Sequence, residues 1–127
     1  MLGGAGHMFT KPVDFLITGE GGTTIEPEAS VELAIKPLCK LFRPSRFTVE
    51  SIKGGRMAEI LVESIRIGNH ECVVDAGLPL LELHRNSSIY MPTFQVPDQR
   101  ATVRLKNHGL NPVTLVISID GNGAYQR

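Results

Sequence analysis

The sequence predicts an all-β fold: an antiparallel β-sandwich of jelly-roll type, with about eight strands and at most one short helix. Apolar residues alternate with polar ones in short runs, which puts successive side chains on opposite faces of a strand. Clusters of Gly, Pro, Asn and Asp punctuate these runs at short, even intervals. That rhythm belongs to sandwiches and barrels, with a seven-stranded immunoglobulin-like sandwich as the alternative count. No internal repeat is visible, which argues against a solenoid or propeller.

The clearest stretch is Ala101 to Asp120. Val103 and Leu105 alternate with Thr102, Arg104 and Lys106. Asn107, His108, Gly109, Asn111 and Pro112 form a turn, and Val113, Leu115, Ile117 and Ile119 alternate through a second strand. Together they predict a β-hairpin, closed off by the turn sequence Asp120-Gly121-Asn122-Gly123.

The other elements follow in order. Residues 1–10 are Gly-rich and read as a flexible arm, leaving 11–127 as a single sandwich domain. Val13 to Thr18 is a strand, and Gly19-Glu20-Gly21-Gly22 is a turn. A phosphate loop would need a following helix and usually a Lys. Val31 to Lys36 is a strand. Leu38 to Phe42 is extended until Pro44 breaks it, and Arg46 to Val49 forms the next strand. Met57 to Ile67 has some helical spacing but alternates at its end, and it is assigned as a bulged strand. Gly68-Asn69 then turns into Glu71 to Val74 as a hairpin. Asp75 to Arg85 is the place for a short helix, with Pro79 in its first turn. Ile89 to Phe94 is a further strand, at an edge because of Pro92.

Thirteen basic and thirteen acidic side chains cancel. That balance argues against a nucleic-acid partner and suits a protein that associates with itself. No run is long and apolar enough to span a membrane, and no signal peptide is recognisable, so a cytoplasmic or particle-borne location is expected. Cys39 and Cys72 lie among apolar neighbours and read as free, buried thiols. His7, His70, His84 and His108 lack metal-ligand spacing. No nucleophile motif is present, and Asp120-x-Asn122 lacks the Glu that would complete a calcium loop. Arg43, Arg46, Lys53 and Arg56 form the one basic cluster, read as a solvated loop. The sequence therefore predicts no enzyme, catalytic residue, cofactor or metal.

The segment Leu41 to Val74, with FRPSRFTV, a Gly turn and ILVESIRIGN, together with ATVRLKN and VTLVISIDG, resembles small single jelly-roll structural proteins of tailless bacteriophages and related viruses. The resemblance covers about the last two-thirds of the chain. It implies a self-assembling coat or virion-associated subunit, partnered by itself and by other particle proteins, with no catalytic residues. Met8 and Phe9 in the arm, Ile89 and Met91 beside an edge, and Val116 on an outward face are the expected oligomer contacts, through sheet edges or faces in closed cyclic symmetry. A carbohydrate-binding module and a small cupin-like enzyme are the alternatives.

Overall fold

The computed structural model describes residues 8–73, 77–85, 89–96 and 98–126. These residues form two antiparallel sheets with one short helix between strands. β1 (Met8–Leu16) and β2 (Thr23–Ile25) lie end to end along one side of β10 (Val113–Gln126). β4 (Leu41–Lys53) lies on the other side of β10, followed by the two-residue β8 (Phe94–Gln95). The second sheet has the order β3 (Ser30–Ala34), β9 (Ala101–Asn107), β5 (Ile60–Ile67), β6 (His70–Val73). β7 (Leu78–Pro79) continues beside β5 where β6 stops. Each sheet is thus four strands wide.

Inward residues of both sheets make one core. On β10, Val113, Leu115, Ile117 and Ile119 are buried, while Thr114, Val116, Ser118 and Asp120 face outward and are half-buried. Each such buried aliphatic side chain contributes about 1.5–3 kcal/mol. Phe42 meets Phe15 and Phe94 edge-on, with ring centroids 5.8 and 6.0 Å apart.

Bulges explain where the alternation fails. On β4 the inward series is Phe42, Pro44, Phe47, Val49, Ile52. It skips an extra residue at Ser45 and again at Glu50, where the register against β10 shifts. Pro44 does not break the strand, contrary to the sequence expectation: it sits at a bulge, where its missing N–H is tolerated. On β5 the inward series Ile60, Val62, Ile65, Ile67 skips at Glu63 for the same reason. Met57–Glu59 is a single 3₁₀ turn, and the rest of 57–67 is the bulged strand the sequence predicts. Gly68-Asn69 closes the β5–β6 hairpin, Gly68 taking a φ of +59°.

Several expectations are corrected. β9 and β10 do not form a hairpin: they belong to different sheets, and residues 108–112 cross between them. Alternation reports which face a residue takes, not which strand lies beside it, and a short loop can bridge the ~10 Å between packed sheets. Asp120-Gly121-Asn122-Gly123 is not a turn, because β10 runs straight through it to Gln126. A Cβ at Gly121 would fall on the Arg43 carbonyl oxygen, and one at Gly123 would lie 2.9 Å from Val13 and 3.1 Å from the Cys39 sulfur. These glycines admit neighbouring groups rather than a reversal. Met8 to Thr10, assigned to the arm, are the first residues of β1, paired with Gln126 to Ala124; residues 1–7 lie outside the described residues. Ile89 to Thr93 are not in a strand, and only Phe94–Gln95 pairs, with Leu41 and Phe42. The helix α1 spans Leu80–Arg85, just after Pro79.

The registers put loops 26–29, 54–59 and 108–112 at one end of the sandwich. Loops 35–40, 68–69 and the segment before β9 lie at the other. Among the described residues, no helix is long and apolar enough to cross a membrane.

Candidate functional site

Two outer faces, several edges and two loop ends are what this sandwich offers a partner. The outer face of the second sheet is charged and internally paired. Arg100 meets Glu32 at 2.9 Å, Arg104 meets Glu63 at 3.0 Å, and Lys106 lies 3.8 Å from Glu28. The Ser30 hydroxyl also donates to Glu63, and this bond, with the Arg104 guanidinium, holds the Glu63 carboxyl below its ordinary range. The outer face of the first sheet mixes hydroxyls, including the Thr24–Thr114 pair at 2.8 Å, with charged groups, including an Arg46–Asp120 contact at 3.3 Å.

Exposed large apolar side chains are Met8, Phe9, Leu38, Tyr90 and Leu110. The expected contact residues divide among three places. Met8 and Phe9 lie at the start of β1, where Phe9 stacks on Tyr125 with centroids 5.6 Å apart and the Lys11 ammonium sits 4.7 Å over the Tyr125 ring. Ile89 and Met91 both line a depression of about 440 Å³ with Arg43, Pro44, Tyr90 and Asn122. Val116 stands apart on the outer face of β10, opposite Ser51. Met91 is packed mostly in the chain's own core.

Leu38 and Leu110 are further exposed apolar residues, which the sequence reading did not single out. Leu38 is 93% exposed and Leu110 90% exposed, at opposite ends of the sandwich. A usable signal exists: each is an apolar residue inside a turn sequence, after Pro37 and after Gly109, where no core is within reach.

The Leu110 loop is held firmly. Asn107, fully buried, donates from Nδ2 to the Ile25 carbonyl at 2.9 Å and the Asn111 carbonyl at 2.8 Å. Its Oδ1 accepts from the Gly109 N–H at 2.7 Å. Its backbone exchanges bonds with Ala29 and Glu28, and the His108 N–H donates to the Glu59 carbonyl.

The ionisable groups are scattered. The His84 Nδ1 accepts from the Val49 N–H at 3.1 Å, which caps an open stretch of the β4 edge. His70 meets Tyr90 edge-on, and His108 is exposed; His7 lies outside the described residues. Cys39 and Cys72 are free and half-buried rather than buried, and burial pushes both thiols up. Arg43 and Lys53 stand near opposite ends of β4, separated by about 30 Å of strand. The basic cluster of the sequence is therefore not a patch. Among the described residues, no group of three or more His, Cys, Asp or Glu side chains is arranged to hold a metal ion.

Comparison with protein-family models, curated proteins and solved structures finds no match to this chain.

Proposed function

We propose that this chain is a jelly-roll subunit that self-assembles, in the manner of a phage or viral coat or virion-associated protein. The strand pairing carries the reading. Counting β1 with β2 as one strand and β6 with β7 as another gives eight. The first pairs with the eighth, the second with the seventh, the third with the sixth and the fourth with the fifth, all antiparallel. A single long antiparallel hairpin wrapped into two sheets has this pattern, with β10 against β4 and β9 against β5 as the seams. Exposed Leu, Met, Phe and Tyr side chains stand at the ends and rim, where a neighbouring copy could cover them.

Light scattering on the size-exclusion peak, followed by negative-stain imaging, tests the reading. A ring, shell or other closed oligomer is expected, and a stable 13.9 kDa monomer at high concentration would refute it. The stacked Phe9–Tyr125 pair with Lys11 favours a second reading, a carbohydrate-binding module with an aromatic platform. Saturable binding on a glycan panel, lost in Tyr125→Ala, would support that reading instead.

A further inference from the structure

We infer that His84 is a pH-operated latch on the open edge of β4: its neutral imidazole fastens the last turn of α1 to the strand, and protonation releases it. The device belongs to the fold itself and stands whether or not the chain self-assembles.

The edge needs a cover. β4 pairs with β10 along one side from Leu41 to Lys53, but on the other side β8 reaches only Leu41 and Phe42. Among the described residues, no strand continues along that second side. The Val49 N–H donates there to the His84 Nδ1 at 3.1 Å, in a partly buried bond. A donor fixes the chemistry of its partner: Nδ1 must offer a lone pair, so it carries no proton in this arrangement. An imidazolium has a proton on both nitrogens, so in acid the Nδ1–H and the Val49 N–H would face each other and neither could accept. The bond is therefore complete above the range in which imidazoles protonate and is lost as pH falls through it.

The protonated ring has a second place to rest. His84 lies in the last turn of α1, where free carbonyls carry partial negative charge. A cation there is favoured and can bond those carbonyls. Leu80 and Leu83, buried in the core, hold the rest of the helix in place. Two arrangements thus differ by one ring: imidazole on the Val49 N–H, or imidazolium turned back to the helix end.

The surrounding charges are engaged elsewhere. α1 packs on β4, β5, β7 and the Met57–Glu59 turn. On β4, Arg46 meets Asp120, Glu50 accepts from the Ser118 hydroxyl, and Arg43 and Lys53 stand toward the strand's ends. On β5, Glu63 is held by Ser30 and Arg104, and Arg66 by Glu71. Glu59 accepts from the Arg56 N–H, and β7 is Leu78–Pro79. Glu82 precedes His84 by two residues, which puts it on another face of the helix.

Amide exchange followed by NMR tests the latch. Protection of the Val49 amide, normalised for the intrinsic pH dependence of exchange, is expected to fall about tenfold on acidification. Its midpoint should coincide with the titration of the His84 ring resonances, and not with those of His70 or His108. In His84→Asn an amide oxygen stands near the place of Nδ1, so Val49 should stay protected with no step in that range. In His84→Ala, Val49 should exchange freely at every pH. A Val49 amide that keeps its protection while the His84 ring titrates would overturn the latch. So would a step that persists in His84→Asn, or equal protection in wild type and His84→Ala. Should His84→Ala fail to fold, the wild-type titration and His84→Asn settle the question without it.

Discussion

Asn107 is the residue on which the crossing between the two sheets depends, and Asn107→Ala measures how much. The amide donates two hydrogen bonds and accepts one, at 2.9, 2.8 and 2.7 Å, with its side chain fully buried. Each bond contributes about 1 kcal/mol net, and each buried partner left without one costs a further ~1–3 kcal/mol. Water entering the vacated space can satisfy part of that set, so the loss should be about 3–5 kcal/mol. That is a large share of the roughly 5–15 kcal/mol available to a domain. At about 2.1 cal/mol/K per residue, it lowers Tm by roughly 10–20 °C.

Asn107→Asp is the sharper variant because its shape is unchanged. One oxygen would replace the donor and face two carbonyl oxygens, and the buried carboxylate would have its pKa raised. Its deficit against wild type should therefore be largest at neutral pH and shrink as pH falls, when a proton restores one donor. Urea unfolding of the three proteins at neutral and acid pH gives the comparison. Should Asn107→Ala unfold within ~0.5 kcal/mol of wild type, the side chain is not what holds the crossing loop. A pH-independent deficit in Asn107→Asp would refute the assignment of its nitrogen as the donor.

Three further substitutions probe separate features. Gly121→Ala should destabilise by about 1–3 kcal/mol in urea melts, because its methyl meets the Arg43 carbonyl and β4 must move away from β10. Glu28 has a φ of +64°, so Glu28→Gly should stabilise by about 1 kcal/mol despite losing the long contact to Lys106. The Glu63 carboxyl is held below its ordinary range by Ser30 and Arg104. Its stabilisation is complete above the unfolded carboxylate pKa of about 4.3 and disappears as pH falls through the lower folded value. The deficit of Glu63→Gln in urea titrations should thus be visible at neutral pH and vanish in strong acid.

The sequence disclosed faces better than neighbours. The alternation in Val103, Leu105, Val113, Leu115, Ile117 and Ile119 identifies inward side chains, because burial on one face is what selects an apolar residue there. It says nothing of whether β9 lies beside β10 or across the core from it. Bulges were half legible. The skip between Val62 and Ile65 could be recognised because the flanking pairs kept their period, whereas Pro44 hid the bulge beside it. Gly121 and Gly123 were misread because a glycine required by close packing looks the same as one required by a turn. At the candidate surfaces the obstacle was similar. Ile89 and Met91 flank Tyr90 in the sequence and line the same depression, but Ile89 is half-buried and Met91 is packed in the core.

The edges of this sandwich bear on how copies can meet. An exposed strand edge invites another strand, and several edges here are blunted against that. β1 carries Lys11 and Pro12 at its middle, and Pro12 offers no N–H. β8 is two residues long, and beyond it the His84 imidazole takes the Val49 N–H on β4. β6 is four residues long and β3 is five. The charged groups on the second sheet's outer face are already paired within the chain, so covering that face would strip water from ion pairs with little gained in return. The loop ends differ from both. Their loops are held by hydrogen bonds from within the fold, and burying them leaves the strand ladders untouched. Addition of a strand is the contact that Pro12, the short β8 and the His84 bond to Val49 disfavour.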